Sequence, residues 1–293
     1  MRGFWGCVLG SVKAMEWQGP EWELSQSDFE YVSDLARAKF GLDLSDAKRS
    51  LIYSRLAKRM KALEYTEFSQ YLTRLNGPDA KIEMGELLSV LTTNITHFFR
   101  EEHHFHTLET KVLPQLIEAA RAGGRVRLWS AGCSSGQEPF SMAMVVLNMF
   151  PDVAKYDFKI LATDIDPVVV QSGMRATYSK SELDGLPKEL RDKFMKQEPG
   201  LKKGLRVTQN VQDLVTFRIL NLIEPLPMHG PFDAVFCRNV TIYFDKATQA
   251  NVWDQICKVM RSGAYLFIGH SERISGPATR SMKKEGFTTL RKE

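Results

Sequence analysis

Between residues 25 and 94 the apolar residues recur at helical spacing. Ser27 is placed to cap a helix that ends before Gly41, and Ser45 or Asp46 to cap a second that ends near Leu63. A third helix is predicted from position 66 to the glycine at 77, and a fourth follows the apolar residues between 82 and 91. Residues 25–94 are therefore predicted to form an N-terminal all-α domain, preceded by a terminal extension at 1–24.

After residue 124 the pattern changes to short apolar runs that alternate with helical segments. This alternation is typical of a parallel sheet with crossover helices, so residues 124–293 are predicted to form an open, doubly wound α/β domain. Residues 95–123 would serve as a linker and connecting helix. A ligand is expected outside the carboxyl ends of the strands. The predicted strands lie at residues 126–129, 158–162, 214–220, 232–236, 264–268 and, as a last edge strand, 287–290.

One segment departs from this alternation. Residues 200–216 contain two glycines, the apolar Leu205 and Val207, a turn-like Gln209-Asn210 pair and a strand-like run that follows it. This pattern predicts a small antiparallel β-subdomain beside the main sheet.

Composition places the chain among ordinary globular proteins. Its 293 residues are 43% hydrophobic and 25% charged, and no apolar run is long enough to span a membrane. Four dispersed cysteines form neither a CxxC pair nor a zinc pattern, which favours a reducing, cytoplasmic location. The net charge of +4 is too small to indicate nucleic-acid binding. A monomer without membrane insertion is expected.

Small residues follow the first predicted strand of the α/β domain. The run SAGCSSGQEP begins after Trp129 and ends at Pro139, which suits the first turn of a helix. Its glycines would let the backbone approach a nucleotide-like ligand, but plain strand-to-helix packing explains them equally well. The second strand ends in Asp164, an acid placed to accept hydrogen bonds from ribose hydroxyls. Asp166 is more simply a cap for the helix beginning at Pro167.

Polar residues also follow the third and fourth strands. Asn221 and Leu222 can offer an amide and an apolar face to a purine ring, and Arg238, Asn239 and Tyr243 come after the fourth strand. Side chains at the carboxyl ends of neighbouring parallel strands converge on one crevice. For Tyr243 the alternative is a core tyrosine with a satisfied hydroxyl, since its neighbours are apolar.

The junction between the domains is rich in glutamate and histidine. Glu101, Glu102, His103, His104 and His106 raise the question of a metal site. Adjacent histidines on a helix are expected to point apart, and neither an HExxH motif nor a facial triad is present in the sequence. No metal is therefore expected.

Five motifs occur in a fixed order: TTNITHFFRE, WSAGCSSGQEP, LATDID, FDAVFCRNVTIYF and FIGHSE. Together, over about residues 29–290, they resemble the CheR family of chemotaxis receptor methyltransferases. The resemblance implies a class I S-adenosylmethionine-dependent methyltransferase (Rossmann-like) domain with a small antiparallel β-subdomain and an N-terminal all-α domain. The chain departs from the common GEEP at Gln137, and the functional carboxylate is assigned to Glu138. The cofactor contacts implied by the match are Asn94, Thr96, Arg100, Glu138, Asp164, Asn221, Leu222, Arg238 and Asn239.

The resemblance further implies that S-adenosylmethionine methylates glutamate γ-carboxylates on the cytoplasmic helices of chemoreceptors. Arg100 and Tyr243 match residues that face the transferred methyl group. A glutamate with a pKa of about 4.3 is already ionised at pH 7, so this nucleophile needs no general base. Arg100 would orient the carboxylate, and Tyr243 would shape or hydrogen-bond the reacting end.

The second predicted helix carries six basic residues and no acid between positions 47 and 63. At about 100° per residue, Lys48, Arg55 and Arg59 fall on one ridge beside the apolar stripe, where they can meet acidic receptor helices. The alternative is a solvated cationic face.

Three further alternatives stay open at this point. A nucleic-acid methyltransferase would use the same cofactor fold, and a non-catalytic regulator could bind S-adenosylmethionine without transferring its methyl group. In the family the β-subdomain can bind a peptide at the receptor's C terminus, so residues 200–216 either bind such a peptide or only brace the domain.

Overall fold

The computed structural model describes residues 23–197 and 204–293. Most of the predicted extension at 1–24 lies outside these residues. The helical domain matches the predicted element order, although Ser25 rather than Ser27 caps the first helix, through a reciprocal capping box with Asp28. The helix ends at Gly41, whose φ of 74° suits glycine. The helices are α1 (Gln26–Phe40), α2 (Arg49–Ala62, after a 3₁₀ turn at Asp46–Lys48), α3 (Phe68–Leu75) and α4 (Ala80–Leu91).

The connecting segment is a nearly continuous helical rod. Its parts are α5 (His103–Thr107), a π-helical turn (Leu108–Val112) and α6 (Leu113–Arg121). The α/β domain then contains β1 (Val126–Ala131), α7 (Gln137–Met149), β2 (Phe158–Asp164), α8 (Pro167–Arg175), β3 (Thr177–Ser179), α9 (Lys188–Phe194), β4 (Met195–Gln197), β5 (Gly204–Val207), α10 (Gln209–Gln212), β6 (Val215–Ile219), β7 (Phe232–Cys237), α11 (Lys246–Val259), β8 (Met260–Ile268), β9 (Met282–Gly286) and β10 (Thr289–Lys292).

The main sheet has seven strands in the order β6-β2-β1-β7-β8-β10-β9. The first five are parallel, and β10 and β9 close one edge as antiparallel strands. The chain builds outward from β1 through β2 to β6 and then returns to β7 on the other side of β1. This reversal is the topological switch point at which doubly wound folds bind ligands. The predicted fold class is confirmed, with a β9–β10 pair where a single last strand was predicted.

The small antiparallel sheet lies elsewhere than predicted. Its strand order is β3-β5-β4, so it begins before residue 180 and ends at Val207. Residues 208–216 belong instead to the short helix α10 and to β6 of the main sheet. The range 200–216 was wrong because β3, which pairs with β5 across more than 20 positions, and β4 both precede it, and a local turn signal cannot show the β3–β5 pairing.

Two apolar clusters cover the faces of the main sheet, and a third forms the core of the helical domain. Trp129 and Trp253 are fully buried in the cluster beneath α11. The two domains meet where Leu42, just after α1, forms an antiparallel bridge with Phe244. Within the described ranges, no helix is both long and apolar enough to cross a bilayer.

Candidate functional site

A cavity of about 370 Å³ opens at the carboxyl ends of β1, β2, β6 and β7, a volume typical of small-molecule sites. The helical domain closes one side through Phe40, Leu42 and Leu88. Gly132 follows β1 with φ +83°, and a Cβ there would lie 2.2 Å from Val240, so glycine is required. All of the predicted cofactor and catalytic residues line this cavity: Asn94, Thr96, Arg100, Glu138, Asp164, Asn221, Leu222, Arg238, Asn239 and Tyr243.

Asp164 ends β2 and presents its carboxylate to the cavity. Its Oδ2 accepts a hydrogen bond from the Ser134 amide at 2.8 Å, and its Oδ1 accepts one from the Asp166 amide at 3.1 Å. Burial raises the pKa of Asp164, because the two amide donors only partly offset the loss of solvent. A carboxylate has about four acceptor positions, so both oxygens retain capacity for the hydroxyls of a ligand.

Asp166 holds three segments together rather than facing the cavity. Its side chain accepts hydrogen bonds from the Val168 amide at the start of α8, from Ser89 of α4 and from Asn94, each at 2.8 Å. The predicted helix cap is confirmed. The same contacts engage the amide nitrogen of Asn94, whose backbone oxygen also accepts from Ser134. Asn94 is thus fixed at the cavity wall by the fold itself.

Asn221 is likewise held from outside the cavity. Its amide nitrogen donates to the backbone oxygen of Lys39 at the end of α1, at 3.0 Å. The adjacent Leu222 is buried and adds an apolar surface to the cavity wall. Thr96 also lines the cavity.

Glu138 and Arg238 form a buried ion pair at the base of the cavity. The Arg238 Nε donates to Glu138 Oε2 at 2.6 Å, while Ser130 donates to Oε1 at 2.7 Å. The guanidinium lies over the rings of Phe105 and Phe236, 5.3 and 5.5 Å from their centroids. Glu138 and Arg238 are therefore already hydrogen-bonded within the protein. Each can contact a ligand only through the donor or acceptor positions that these bonds leave unused.

His103 and His104 contradict the expectation that adjacent histidines point apart. Their ring centroids lie 4.1 Å from each other, and both Nε2 atoms approach the hydroxyl of Thr288 at 3.3 and 2.8 Å. The C-terminal strand pair draws the rings together, which overrides the helical spacing. Burial and the Arg238 charge lower the pKa of His104 to about 2, so it stays neutral.

Glu101, His103 and His104 bring potential metal-ligating atoms within 4.8 Å of one another. However, the Arg238 Nη1 lies 3.1 Å from His104 Nδ1 and 3.9 Å from Glu101, and Thr288 occupies the other His104 nitrogen. A metal cation would have to displace these contacts beside a fixed positive charge, so the geometry does not favour one.

Arg100 and Tyr243 carry polar groups that the protein leaves available at the cavity. Arg100 donates one hydrogen bond, from Nη1 to the backbone oxygen of Ile95 at 3.1 Å, and its other donors have no partner among the described residues. The hydroxyl of Tyr243 also has no hydrogen-bond partner within the described part of the chain. The backbone oxygen of Tyr243 accepts from the Asp43 amide at 2.7 Å, which ties it to the helical domain.

Glu272, in the FIGHSE motif, is a positioning residue that sequence reasoning missed. Its buried carboxylate accepts hydrogen bonds from the amides of Gly269, Asn239, Val240 and Thr241 and from the Thr241 hydroxyl, at 2.6–3.0 Å. This anchor fixes the turn after β7, in which Asn239 adopts a φ of +59°. The motif itself was the available signal, although spacing alone did not connect it to β7.

The predicted docking ridge is largely turned inward. Arg55 donates to the backbone oxygens of Leu91 and Thr92 at 2.8 and 3.1 Å, where it caps the C terminus of α4. Arg59 makes a double hydrogen bond to the fully buried Glu83 at 2.9 and 2.7 Å. Both side chains therefore hold α2 against α4. Lys48 donates to the backbone oxygen of Asp43 at 3.2 Å, close to Tyr243.

Two family models match the two domains in order. Residues 27–92 match the CheR methyltransferase all-alpha domain, and residues 94–290 match the CheR methyltransferase SAM binding domain. The doubly wound sheet, the cavity at its switch point and the match to a SAM-binding domain define a class I S-adenosylmethionine-dependent methyltransferase.

Curated relatives match most of the chain. A probable chemotaxis protein methyltransferase of Rhizobium etli is 44% identical over 252 residues, covering 86% of this chain and 94% of the relative. The chemotaxis protein methyltransferase of Escherichia coli is 37% identical, covering 86% of each chain, and that of Borreliella burgdorferi is 38% identical, covering 81% and 84%. The chain belongs to the CheR family of methyltransferases.

Proposed function

We propose that this protein methylates the γ-carboxylates of glutamates on the cytoplasmic helices of chemoreceptors, with S-adenosylmethionine as methyl donor and S-adenosylhomocysteine as product. One observation carries the proposal: Asp164 and the unpartnered donors of Arg100 and Tyr243 face one cavity in a chain of this family. Methyl transfer from S-adenosylmethionine to a glutamate needs a group that binds the ribose of the cofactor and a cation that binds the incoming carboxylate. Asp164 and Arg100 can supply them.

The residues fit this cofactor through the chemistry of the cavity wall. Asp164 would accept hydrogen bonds from the ribose hydroxyls, and Asn221 and Leu222 would flank the adenine. Asn94, Thr96, Glu138, Arg238 and Asn239 would complete the contacts. When bound, S-adenosylmethionine supplies an electrophilic methyl group on a positively charged sulfur.

The protein's part in the reaction is alignment rather than proton transfer. The substrate carboxylate is ionised at neutral pH, and Arg100 can hold one of its oxygens while the other attacks in line. Tyr243 can donate a hydrogen bond to the same group or limit its orientation. Burial raises the pKa values of the Cys133 and Cys237 thiols far above their ordinary range, so neither offers a thiolate as a competing nucleophile.

The proposal also covers the location of the protein, its oligomeric state and the surfaces that contact the receptor. We place the protein in the cytoplasm as a monomer that contacts acidic receptor helices. Since Arg55 and Arg59 are engaged by α4, Lys48 and the exposed Lys58 are the α2-side cations best placed for docking. The sheet of β3, β4 and β5 has β3 and β4 as open edges, on which a receptor C-terminal peptide could pair.

Incubation of the protein with radiolabelled S-adenosylmethionine and membranes from its host tests the function directly. Base-labile label on receptor-sized protein is expected, because a methyl ester hydrolyses in base. Label on added DNA or RNA would support the nucleic-acid alternative. Tight binding of S-adenosylmethionine without any transfer would support a non-catalytic regulator.

Arg100 and Tyr243 should affect turnover more than cofactor binding. We expect Arg100→Ala and Tyr243→Phe to lower kcat for receptor methylation by about 10-fold or more, with S-adenosylmethionine affinity changed by less than about threefold. Calorimetry for the cofactor and initial rates for methylation separate the two effects. Near-normal rates in both variants would contradict the assigned roles.

A further inference from the structure

Two isoleucines stand exposed at the cavity that holds Arg100. The Ile95 side chain is 79% exposed and that of Ile242 is 40% exposed, and both residues line the cavity. Single exposed apolar residues are ordinary on protein surfaces, but two β-branched residues bordering one opening form an apolar rim.

The position of Ile95 is fixed by its neighbours in the chain. The preceding residue, Asn94, is held through its backbone oxygen by Ser134 and through its amide by Asp166. The backbone oxygen of Ile95 itself accepts from Arg100. Ile95 therefore projects from an anchored segment, so a partner that binds it need order only its side chain and not its backbone.

Ile242 is also part of an anchored segment of the cavity wall. It occupies the 3₁₀ turn Thr241–Tyr243, whose first residue donates both its amide and its hydroxyl to Glu272. The next residue, Tyr243, is tied to the helical domain through Asp43. The two isoleucines thus belong to different elements that the tertiary structure brings to one rim.

Positive charge accompanies this apolar rim. Arg100 contacts the Ile95 backbone directly, and the Lys48 ammonium lies at Asp43, which is hydrogen-bonded to Tyr243. A partner that suits this rim presents a carboxylate toward Arg100 and apolar side chains beside it. In a helix, residues three or four positions from a glutamate lie on the same face and could supply those side chains.

We propose that Ile95 and Ile242 are substrate-specificity residues, on which the receptor helix rests when its target glutamate enters the cavity. This inference rests on the proposed function and deepens it by naming the surface that selects the substrate. A receptor segment with a charged residue one helical turn from the glutamate would be a poor substrate. That charge would lose its water against the isoleucines and would gain no hydrogen-bonding partner there.

The test compares Ile95→Ser and Ile242→Ser with a matched control, Ile82→Ser, which removes an isoleucine 67% exposed on α4 that does not line the cavity. For each variant we would measure the KM for receptor membranes, kcat and the S-adenosylmethionine Kd. We expect KM to rise about 10-fold for each rim variant, as for a lost apolar contact, with the cofactor Kd within twofold. The conservative variant Ile95→Val should have a KM close to that of the wild type.

Two results would overturn the inference. An unchanged KM in both rim variants, with the wild type active, would show that the rim does not select substrate. A parallel loss of cofactor affinity would assign the isoleucines to the cofactor pocket instead. Absence of receptor methylation by the wild-type protein would contradict the proposed function, which is a distinguishable outcome.

Discussion

Glu83 in the helical domain and Asp164 at the cavity are two carboxylates with opposite electrostatic surroundings. Burial opposes ionisation of Glu83, but hydrogen bonds from Arg59 and Arg74 outweigh it, so its pKa is lowered. Burial also opposes ionisation of Asp164, and only backbone amides answer it, so its pKa is raised. The first carboxylate is compensated within the fold, whereas the second is left to be compensated by a ligand.

This contrast explains why a helix rich in arginine is not automatically a binding surface. Arg59 bonds to Glu83 and Glu86, and Arg55 caps α4, so the basic side of α2 is largely a structural contact between helices. At the cavity, by contrast, Arg100 and Tyr243 keep donors that have no partner among the described residues. Arg55 and Arg59 are thus structural residues, whereas the incompletely paired Arg100 beside the cavity is a candidate functional residue.

The largest expected effect comes from breaking the compensated site. Arg59→Met should lower the free energy of unfolding by about 1.5–3 kcal/mol at pH 7, the scale of lost charge-assisted hydrogen bonds, because among the described residues the buried Glu83 keeps only Arg74 as a cation. Lys58→Met, which removes an exposed cation on the same helix, should change stability by less than about 0.5 kcal/mol. Urea titrations measure both. Equal stability of the two variants would remove the basis of the comparison.

Asp164→Asn, unlike Arg59→Met, should weaken cofactor binding without lowering stability. We expect S-adenosylmethionine affinity to fall by about 10- to 100-fold, the scale of lost charge-assisted hydrogen bonds. Stability of the cofactor-free protein should be unchanged or slightly higher, because a raised pKa means that the ionised form opposes folding at neutral pH. Calorimetry and urea titration on one preparation give both numbers. Unchanged cofactor affinity in the folded variant would contradict the assigned role.

A pH series sharpens the same contrast with a smaller effect. Cofactor affinity should fall as the pH drops through the raised pKa of Asp164, above its ordinary value of 3.8, since the protonated acid accepts fewer hydrogen bonds. The contribution of Glu83 to stability is present above its ordinary value of 4.5 and is lost only as the pH falls through the lowered pKa. The Asp164→Asn variant should lose the pH dependence of binding; if it persists, another group is responsible.

The smallest expected effect concerns docking. Lys58→Glu should slow receptor methylation several-fold at low salt and less at high salt, because charges more than about 10 Å apart are screened at 0.1 M. Lys111→Glu, on the connecting helix, is the charge-matched control. An equal loss at every ionic strength in the Lys58 variant would indicate a structural defect rather than a docking role.

The order of helices and strands followed from the sequence because it depends on local signals. Apolar spacing, the stop at Gly41 and the cap at Asp166 act within a few residues of the elements they define. The polar residues after successive strands likewise predicted a shared crevice, since parallel strands place their carboxyl ends together. Family motifs then supplied the residues of the linker segment, Asn94, Thr96 and Arg100, which periodicity did not connect to the sheet.

Only the tertiary structure decided which charged side chains are free. Arg59 and Glu83 lie 24 positions apart, and Glu272 anchors a turn more than 30 positions before it. The strands β3 and β5 pair across a similar distance, which moved the β-subdomain from its predicted range. Hydrogen bonds and ion pairs join residues that are close in the fold but distant in the sequence. A pattern along the chain therefore identifies a charged residue but not its partner. For this protein, that partner separates a structural arginine such as Arg59 from Arg100 at the cavity.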